Sequence, residues 1–375
     1  MSYKFLYIDD TKNAVEQGTI NGLQDGGELE IAWQPPKAWE DQMSSLTNEL
    51  SDANGLILDL RLGDTEYTPG KRAQYRGTTV AQELRTLAKE KTIAKDFPII
   101  LFSGNENLSK SLDQTGLDLF DKIVSKTNVQ GDGFSYKKLK TDLIWLSDGY
   151  DYLNRFEKSL AAILSVPDGV DLDIRFAAHF NDLLEKQPIH VVAKFLITEV
   201  IQKPGFLISE DYLAARLGVD KQSPDWPQLL DKLSPCLYHG AFSSDHPRWW
   251  VDLVERFWQE KISTQEPIRL THASRRIELL IEKTGFHRLV APKQTPKSKS
   301  DTFWVVCKVT KMPIDPVDGF LLMGKNALYE WQEPEYISVE EALRPSTDLR
   351  ISPLETDRLA ILKVFYEKHE QRIRK

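Results

Sequence analysis

The sequence predicts an α/β fold: a doubly wound sheet of five parallel strands, continued by a mainly α-helical region with a small β portion. Three observations predict it. Within the first ~150 residues, short apolar runs alternate with helix-period segments, the order expected of a parallel sheet with crossover helices. Past Tyr150 the apolar residues fall at helical spacing instead. Strand-like character then returns in one stretch, TFWVVCKVT (302–310).

The strand-like runs are KFLYI (4–8), LEIAW (29–33), GLILDL (55–60), FPIILF (97–102) and DKIVS (121–125). Helix patterns separate the later ones, TVAQELRTLAKE (79–90) and NLSKSLDQTG (107–116), with Gly116 placed to stop the second. Leu139, Leu143, Ile144 and Leu146 mark one face of a helix expected to end near Gly149. Leu153, Phe156, Leu160, Ile163 and Leu164 form a new helical stripe. Further helices are expected at about 171–186, 190–202, 209–217, 226–233 and 249–260, punctuated by Pro188, Pro204, Pro224 and Pro247. PKQTPKSKSD (292–301) reads as an exposed loop, and a last helix covers about 353–371. The expected division is 1–149, then a helical region 150–262, then an α+β region 263–375.

Composition narrows the function classes. Of 375 residues 41% are apolar and 28% charged, as in a soluble globular protein, and the length suits two or three domains. A net charge of -8 argues against generic attraction to DNA or to an anionic membrane. Two cysteines, Cys236 and Cys307, make no disulfide framework and suit a reducing cytosol. No signal-peptide pattern opens the chain, and no apolar run nears the roughly 20 residues of a membrane span. A cytoplasmic location without membrane attachment is the expectation.

Polar residues gather where the strands end. Asp9 and Asp10 close the first strand, and Asp59 sits near the end of the third. Ser103 follows the fourth and Lys126 the fifth. In a parallel sheet these ends share one edge, where ligands bind. Two adjacent carboxylates repel and resist desolvation, so either Asp10 caps a following helix or a cation is to be held there.

In order and placement this set resembles the receiver domain of bacterial two-component response regulators, over about residues 3–148. The resemblance implies a flavodoxin-like (CheY-like) strand order and a Mg²⁺ site. Asp10 and Asp59 would ligate the metal, Asp9 would act through water, and the backbone carbonyl of Arg61 would be a third protein ligand. Mg²⁺ favours such oxygen donors. Asp59 would be the phospho-acceptor, taking a phosphoryl group from a histidine kinase or other phosphodonor, with Lys126 and Ser103 engaging that group. Three departures stand out. Asp59 and Ser103 are 44 positions apart, longer than a compact receiver needs, which implies an insertion around GDTEYTPGKRAQYRG (63–77) overhanging the site. Thr127 replaces the usual proline after the lysine. Ile123 and Val124 stand where an aromatic switch residue is expected.

The resemblance does not extend to residues 150–375, which are not identified with an output domain. Residues 194–250 fit a winged helix-turn-helix, with SEDYLAARLG as second helix, DWPQLLDKL as reading helix and CLYHGAFSSDHPRWW as wing. Its charges oppose DNA: seven Lys/Arg against ten Asp/Glu over 188–260, and Asp225 and Asp231 against Lys232 in the reading helix. Contact with a protein partner therefore ranks first, DNA-binding transcriptional regulation second. Residues 268–312 carry ten Lys/Arg, among them Arg275, Arg276, Arg288, Lys293, Lys297 and Lys299, against three Asp/Glu, and read first as a solvated basic face. The acidic stretch 313–362 would neutralise it. An enzymatic effector built on Cys236, His239, Asp245 and His246 ranks third, since buried Cys and hydrogen-bonded His are the ordinary condition. Trp249, Trp250, Phe257 and Trp258 read as the core face of a helix.

Overall fold

The computed structural model describes residues 2–373 apart from 12, 64–65, 105–111, 130–133, 157–158, 325–326 and 345–348. The chain forms two compact units, neither continuous in sequence. The first comprises residues 1–166, 178–197 and 239–245, and the second 167–177, 198–238 and 246–375.

In the first unit, strands β1 (Tyr3–Ile8), β2 (Leu29–Gln34), β3 (Gly55–Asp59), β6 (Ile99–Ser103) and β7 (Lys122–Ser125) form one parallel sheet in the order β2-β1-β3-β6-β7. This is the flavodoxin-like (CheY-like) order. The two intervening short strands, β4 (Glu66–Thr68) and β5 (Lys71–Arg72), pair separately as an antiparallel hairpin inside the expected insertion.

Strand alternation explains why both faces are covered. Leu6, Ile8, Leu56, Leu58, Ile99 and Leu101 face one way, onto Leu46 of α2 (Trp39–Glu49) and Val80, Ala81 and Leu84 of α3 (Gly77–Lys89). Phe5, Tyr7, Ile57, Ile100, Phe102 and Val124 face the other way. They meet Ile20 and Leu23 of α1 (Asn13–Gln24) and Leu139 and Leu143 of a later helix, Tyr136–Arg155. Each such fully buried aliphatic side chain is worth about 1.5–3 kcal/mol. Below the sheet, the Arg85 guanidinium of α3 is buried between Asp96 (2.5 Å) and Asp121 (2.8 Å), and Tyr150 donates to the second carboxylate at 2.5 Å.

Two short helices, α4 (Gln114–Leu117) and α5 (Lys126–Val129), precede the long α6 (Tyr136–Arg155). Three expectations are corrected here. Gly116 lies within α4 rather than ending it, and its N–H is taken by the Asp113 side chain; residues 107–111 of the expected helix lie outside the described residues. Helix α6 does not stop at Gly149. There a Cβ would fall 2.0 Å from the Phe242 ring, so glycine serves close packing against Phe242 rather than termination. The stripe from Leu153 to Leu164 is divided: Leu153 belongs to α6, while Ile163 and Leu164 lie on α7 (Leu160–Leu164), capped by Ser159.

Helix α8 (Ile174–Lys186) and α9 (Ile189–Phe195) follow, and α9 continues as a π-helical turn, Leu196–Ile201. The second unit then contributes β8 (Leu207–Ser209), α10 (Glu210–Leu217), α11 (Trp226–Lys232), β9 (Arg248–Trp250) and α12 (Val251–Phe257). After α13 (Ala273–Thr284) come two antiparallel pairs, β10 (Val305–Val306) with β11 (Pro313–Ile314) and β12 (Gly319–Leu321) with β13 (Tyr336–Ser338), then α14 (Val339–Leu343) and α15 (Thr356–Ile373). Trp226, Trp249, Trp258, Phe303, Trp304 and Phe320 anchor its core. Trp249 and Trp250 are core residues as expected, but on strand β9 instead of a helix. The strand expected over 302–310 is shorter than its apolar run. The chain turns after Cys307, whose N–H reaches the Met312 carbonyl. Among the described residues no helix is long and apolar enough to cross a membrane.

Candidate functional site at the carboxyl edge of the parallel sheet

Alternation puts three of the candidate residues on one face. Asp9 continues the parity of Phe5 and Tyr7, Asp59 that of Ile57, and Lys126 that of Val124, and these apolar residues all share the α1/α6 side of the sheet. Ser103 lies one residue past Phe102, the register partner of Asp59, and carries the parity of Ile99 and Leu101.

The Asp9 carboxylate is wholly buried and well satisfied. It accepts from the Tyr7 hydroxyl (2.6 Å), from the backbone N–H of Thr11 (2.7 Å) and from the Lys126 ammonium. Lys126 also lies 3.0 Å from Asp59 Oδ1, while the second Asp59 oxygen accepts the Arg61 backbone N–H at 2.7 Å. Asp9, Asp10 and Asp59 each place a carboxylate oxygen within 4.8 Å of the others.

Burial is the main force on Asp59, pushing its carboxyl up to about 6; Lys126 pulls it down, and neighbouring Asp9 pushes it up again. For Lys126 burial disfavours the charged form, yet Asp59 and Asp9 outweigh it and hold the ammonium above its ordinary value. One ammonium thus faces several carboxylates, and the pocket keeps an excess of negative charge. Its donors are all oxygen, the set a hard divalent cation prefers, so the residues present fit Mg²⁺.

Helix α1 starts at Asn13, three residues beyond Asp10. Two contributors escaped the sequence reading. Glu16 on α1 is buried, accepts from Tyr7 Oη at 3.0 Å and lies 3.8 Å from Lys126. Its signal was present: Glu16, Ile20 and Leu23 share one helical face. Gly77 is the other. Its N–H donates to the Leu60 carbonyl at 3.1 Å, and a Cβ there would sit 2.2 Å from the Asp59 carbonyl oxygen. With the Arg61–Arg76 bridge, this close approach brings the return of the insertion beside the end of β3.

The remaining candidates are less concentrated. Cys236 is buried, and burial pushes its thiol up to about 11, the opposite of an activated nucleophile. A cavity of ≈ 510 Å³ lies beside it. Among the described residues Cys236, His239, Asp245 and His246 do not form a metal-ligand group. The supposed basic face is broken up. Arg275 is paired with Glu266 and Glu278, and Arg288 with Asp225. Arg276 is not solvated at all: it is fully buried and donates to the carbonyls of Ala215, Arg216 and Phe303.

No family model matches this chain, and no curated protein matches it. Solved structures do. A response regulator receiver domain protein (CheY-like) from Methanospirillum hungatei JF-1 is 20% identical, with 40% of this chain and 98% of that one covered at a TM-score of 0.27. A response regulator receiver domain protein from Clostridium thermocellum is 14% identical, with 38% and 91% covered at 0.26. A crystal structure of adenylate cyclase from Rhodopirellula baltica is 14% identical, with 40% and 91% covered at 0.28.

Proposed function

We propose that the first unit is a phospho-acceptor module of the response-regulator kind. Asp59 takes a phosphoryl group from a partner histidine kinase or other phosphodonor, and its state controls protein contacts of the C-terminal region. The observation that carries this reading is the Lys126 ammonium held between buried Asp9 and Asp59 in an all-oxygen, negatively charged pocket.

The Asp59 carboxylate attacks phosphorus; the new O–P bond forms as the P–N bond to the donor imidazole breaks, and the nitrogen leaves with the bonding pair. Asp10 and Asp59, Asp9 through water, and the Arg61 carbonyl would hold Mg²⁺, which when bound offsets charge on the phosphoryl oxygens. Lys126, 3.0 Å from Asp59 Oδ1, compensates the added anion from its own side. Ser103 hydrogen-bonds the phosphoryl group, and the movement of its loop biases a two-state equilibrium. The test is hydrogen exchange over residues 112–165 of the full chain, with and without beryllofluoride plus Mg²⁺, beside Asp59→Asn. Exchange changes confined to the wild type support the switch, and identical exchange despite confirmed modification makes the fold a scaffold only.

A second reading is favoured by the order β8, α10, α11, the Leu237–Trp249 bridge and β9, with β8 and β9 antiparallel. Two helices followed by a short antiparallel sheet suit a winged helix-turn-helix that binds duplex DNA. Asp231 and Asp225 on and before α11 weigh against it, so binding at physiological salt should be weak. Tight, sequence-selective binding with a steep salt slope would promote this reading.

A further inference from the structure

The second unit contains a cavity of ≈ 210 Å³ whose lining charges run against those of the chain. Lys203, Arg248, Lys308 and Lys311 line it against only Asp211 and Glu335, in a molecule of net charge -8. The two carboxylates are already engaged. Glu335 lies 3.4 Å from Lys203 and pairs with Lys308, and Asp211 pairs with Lys221. Among the described residues no carboxylate lies within ion-pair distance of Arg248 or Lys311.

The backbone holds both of these cations in place. Arg248 is the register partner of Ser209 across β8 and β9, and its Nε donates to the Ile201 carbonyl at 2.7 Å. Its Nη1 also donates to the Pro247 carbonyl at 2.9 Å, so Nη2 and the second Nη1 hydrogen are left for another acceptor. Burial lowers its proton affinity, with Asp211 only partly compensating, as expected of a guanidinium short of negative charge. Lys311 sits in the turn after Cys307 with φ 59, a left-handed conformation fixed by its N–H bond to the Cys307 carbonyl at 2.9 Å. Ser209 also lines the cavity, and its side chain makes no cap bond to the first turn of α10.

We infer that this cavity binds a phosphate group. Four cations against two carboxylates leave an excess that a dianion would match. A guanidinium fork suits phosphate oxygens in a bidentate way, and lysines add point charge. The phosphate comes either from a small phosphorylated molecule or from a nucleic-acid backbone. This site is separate from Asp59 and does not depend on the phospho-acceptor reading.

The test titrates inorganic phosphate into the full chain by calorimetry, against chloride at matched ionic strength. Saturable binding is expected, weakened about tenfold or more in Arg248→Gln and in Lys311→Gln, as loss of a charged hydrogen bond implies. Arg248→Gln also removes the bond to the Ile201 carbonyl and can impair folding. Lys311 is exposed, so Lys311→Gln with an unchanged melting temperature is the cleaner variant. Competition by a nucleoside monophosphate alone assigns a small-molecule source, and competition by a duplex oligonucleotide assigns a nucleic acid. No saturation beyond the chloride control at tens of millimolar, an order-of-magnitude ceiling for open anion sites, overturns the inference. So does phosphate binding undiminished in both variants.

Discussion

Replacing Lys126 by methionine keeps most of the side-chain volume and removes the charge that faces Asp9, Glu16 and Asp59 together. The ammonium side chain is 15% exposed, that of Asp59 11% and that of Asp9 not at all, so little water is present to take over. Unit charges 3.0 Å apart attract by roughly 5 kcal/mol at an effective dielectric constant of about 20. Much of that attraction is offset by the desolvation of the ammonium. Breaking a buried pair by deleting one partner costs about 3–5 kcal/mol, and the same loss is expected for Lys126→Met by urea unfolding at neutral pH in EDTA. Part of the loss arises from the Asp59 charge, so the Asp59→Asn background should shrink the effect by about 1–3 kcal/mol. Magnesium at tenfold its Kd should return about 1.4 kcal/mol to the Lys126→Met protein, provided Asp59 is intact. A Lys126→Met protein within about 0.5 kcal/mol of wild type refutes the reasoning. An undiminished loss in the Asp59→Asn background refutes it too.

Two other outcomes are expected. Arg85→Met should cost about 3–5 kcal/mol in denaturant unfolding, because it strands the buried Asp96 and Asp121 carboxylates, and Arg85→Lys should recover only part of this for lack of the planar fork; a change below about 1 kcal/mol would show that the buried ion cluster contributes little. Cys236, pushed up to about 11 from an ordinary 9.0, should carry about a hundredfold less thiolate at pH 8 than a free thiol, so it should resist a disulfide exchange reagent until the protein unfolds. Rapid labelling of Cys236 in the native state would instead revive an enzymatic role for that cavity.

Much of the first unit could be read in advance because its strands are short apolar runs ended by polar residues. The carboxyl-edge set Asp9, Asp59 and Lys126 followed from strand ends alone, and the structure joins all three through one ammonium. Helices α1 and α2 were not anticipated as segments. Among the described residues their buried apolar positions are few, Ile20 and Leu23 in one and Leu46 in the other, too sparse for a strong period. Arg276 was taken for surface because of its charge, although it lies on a buried face with Ala273, Ile277 and Leu280, and Glu16 drew no notice although it is buried. Gly149 was misread for a different reason. A glycine inside a helix pattern looks like a stop, and only the distant Phe242 ring reveals it as a packing contact. In the second unit Trp249 and Trp250 sit on a strand of three residues, too short for alternation to declare itself.

Whether Asp59 accepts a phosphoryl group decides the proposed function. The direct measurement incubates the full chain with a labelled small phosphodonor such as acetyl phosphate and Mg²⁺, then maps the label by peptide mass spectrometry. An acid-stable but base-labile acyl phosphate is expected on Asp59 alone, absent in Asp59→Asn and absent when EDTA replaces the metal. A wild-type chain that stays unlabelled while a known receiver domain is labelled beside it, or a label that persists in Asp59→Asn, would contradict the account.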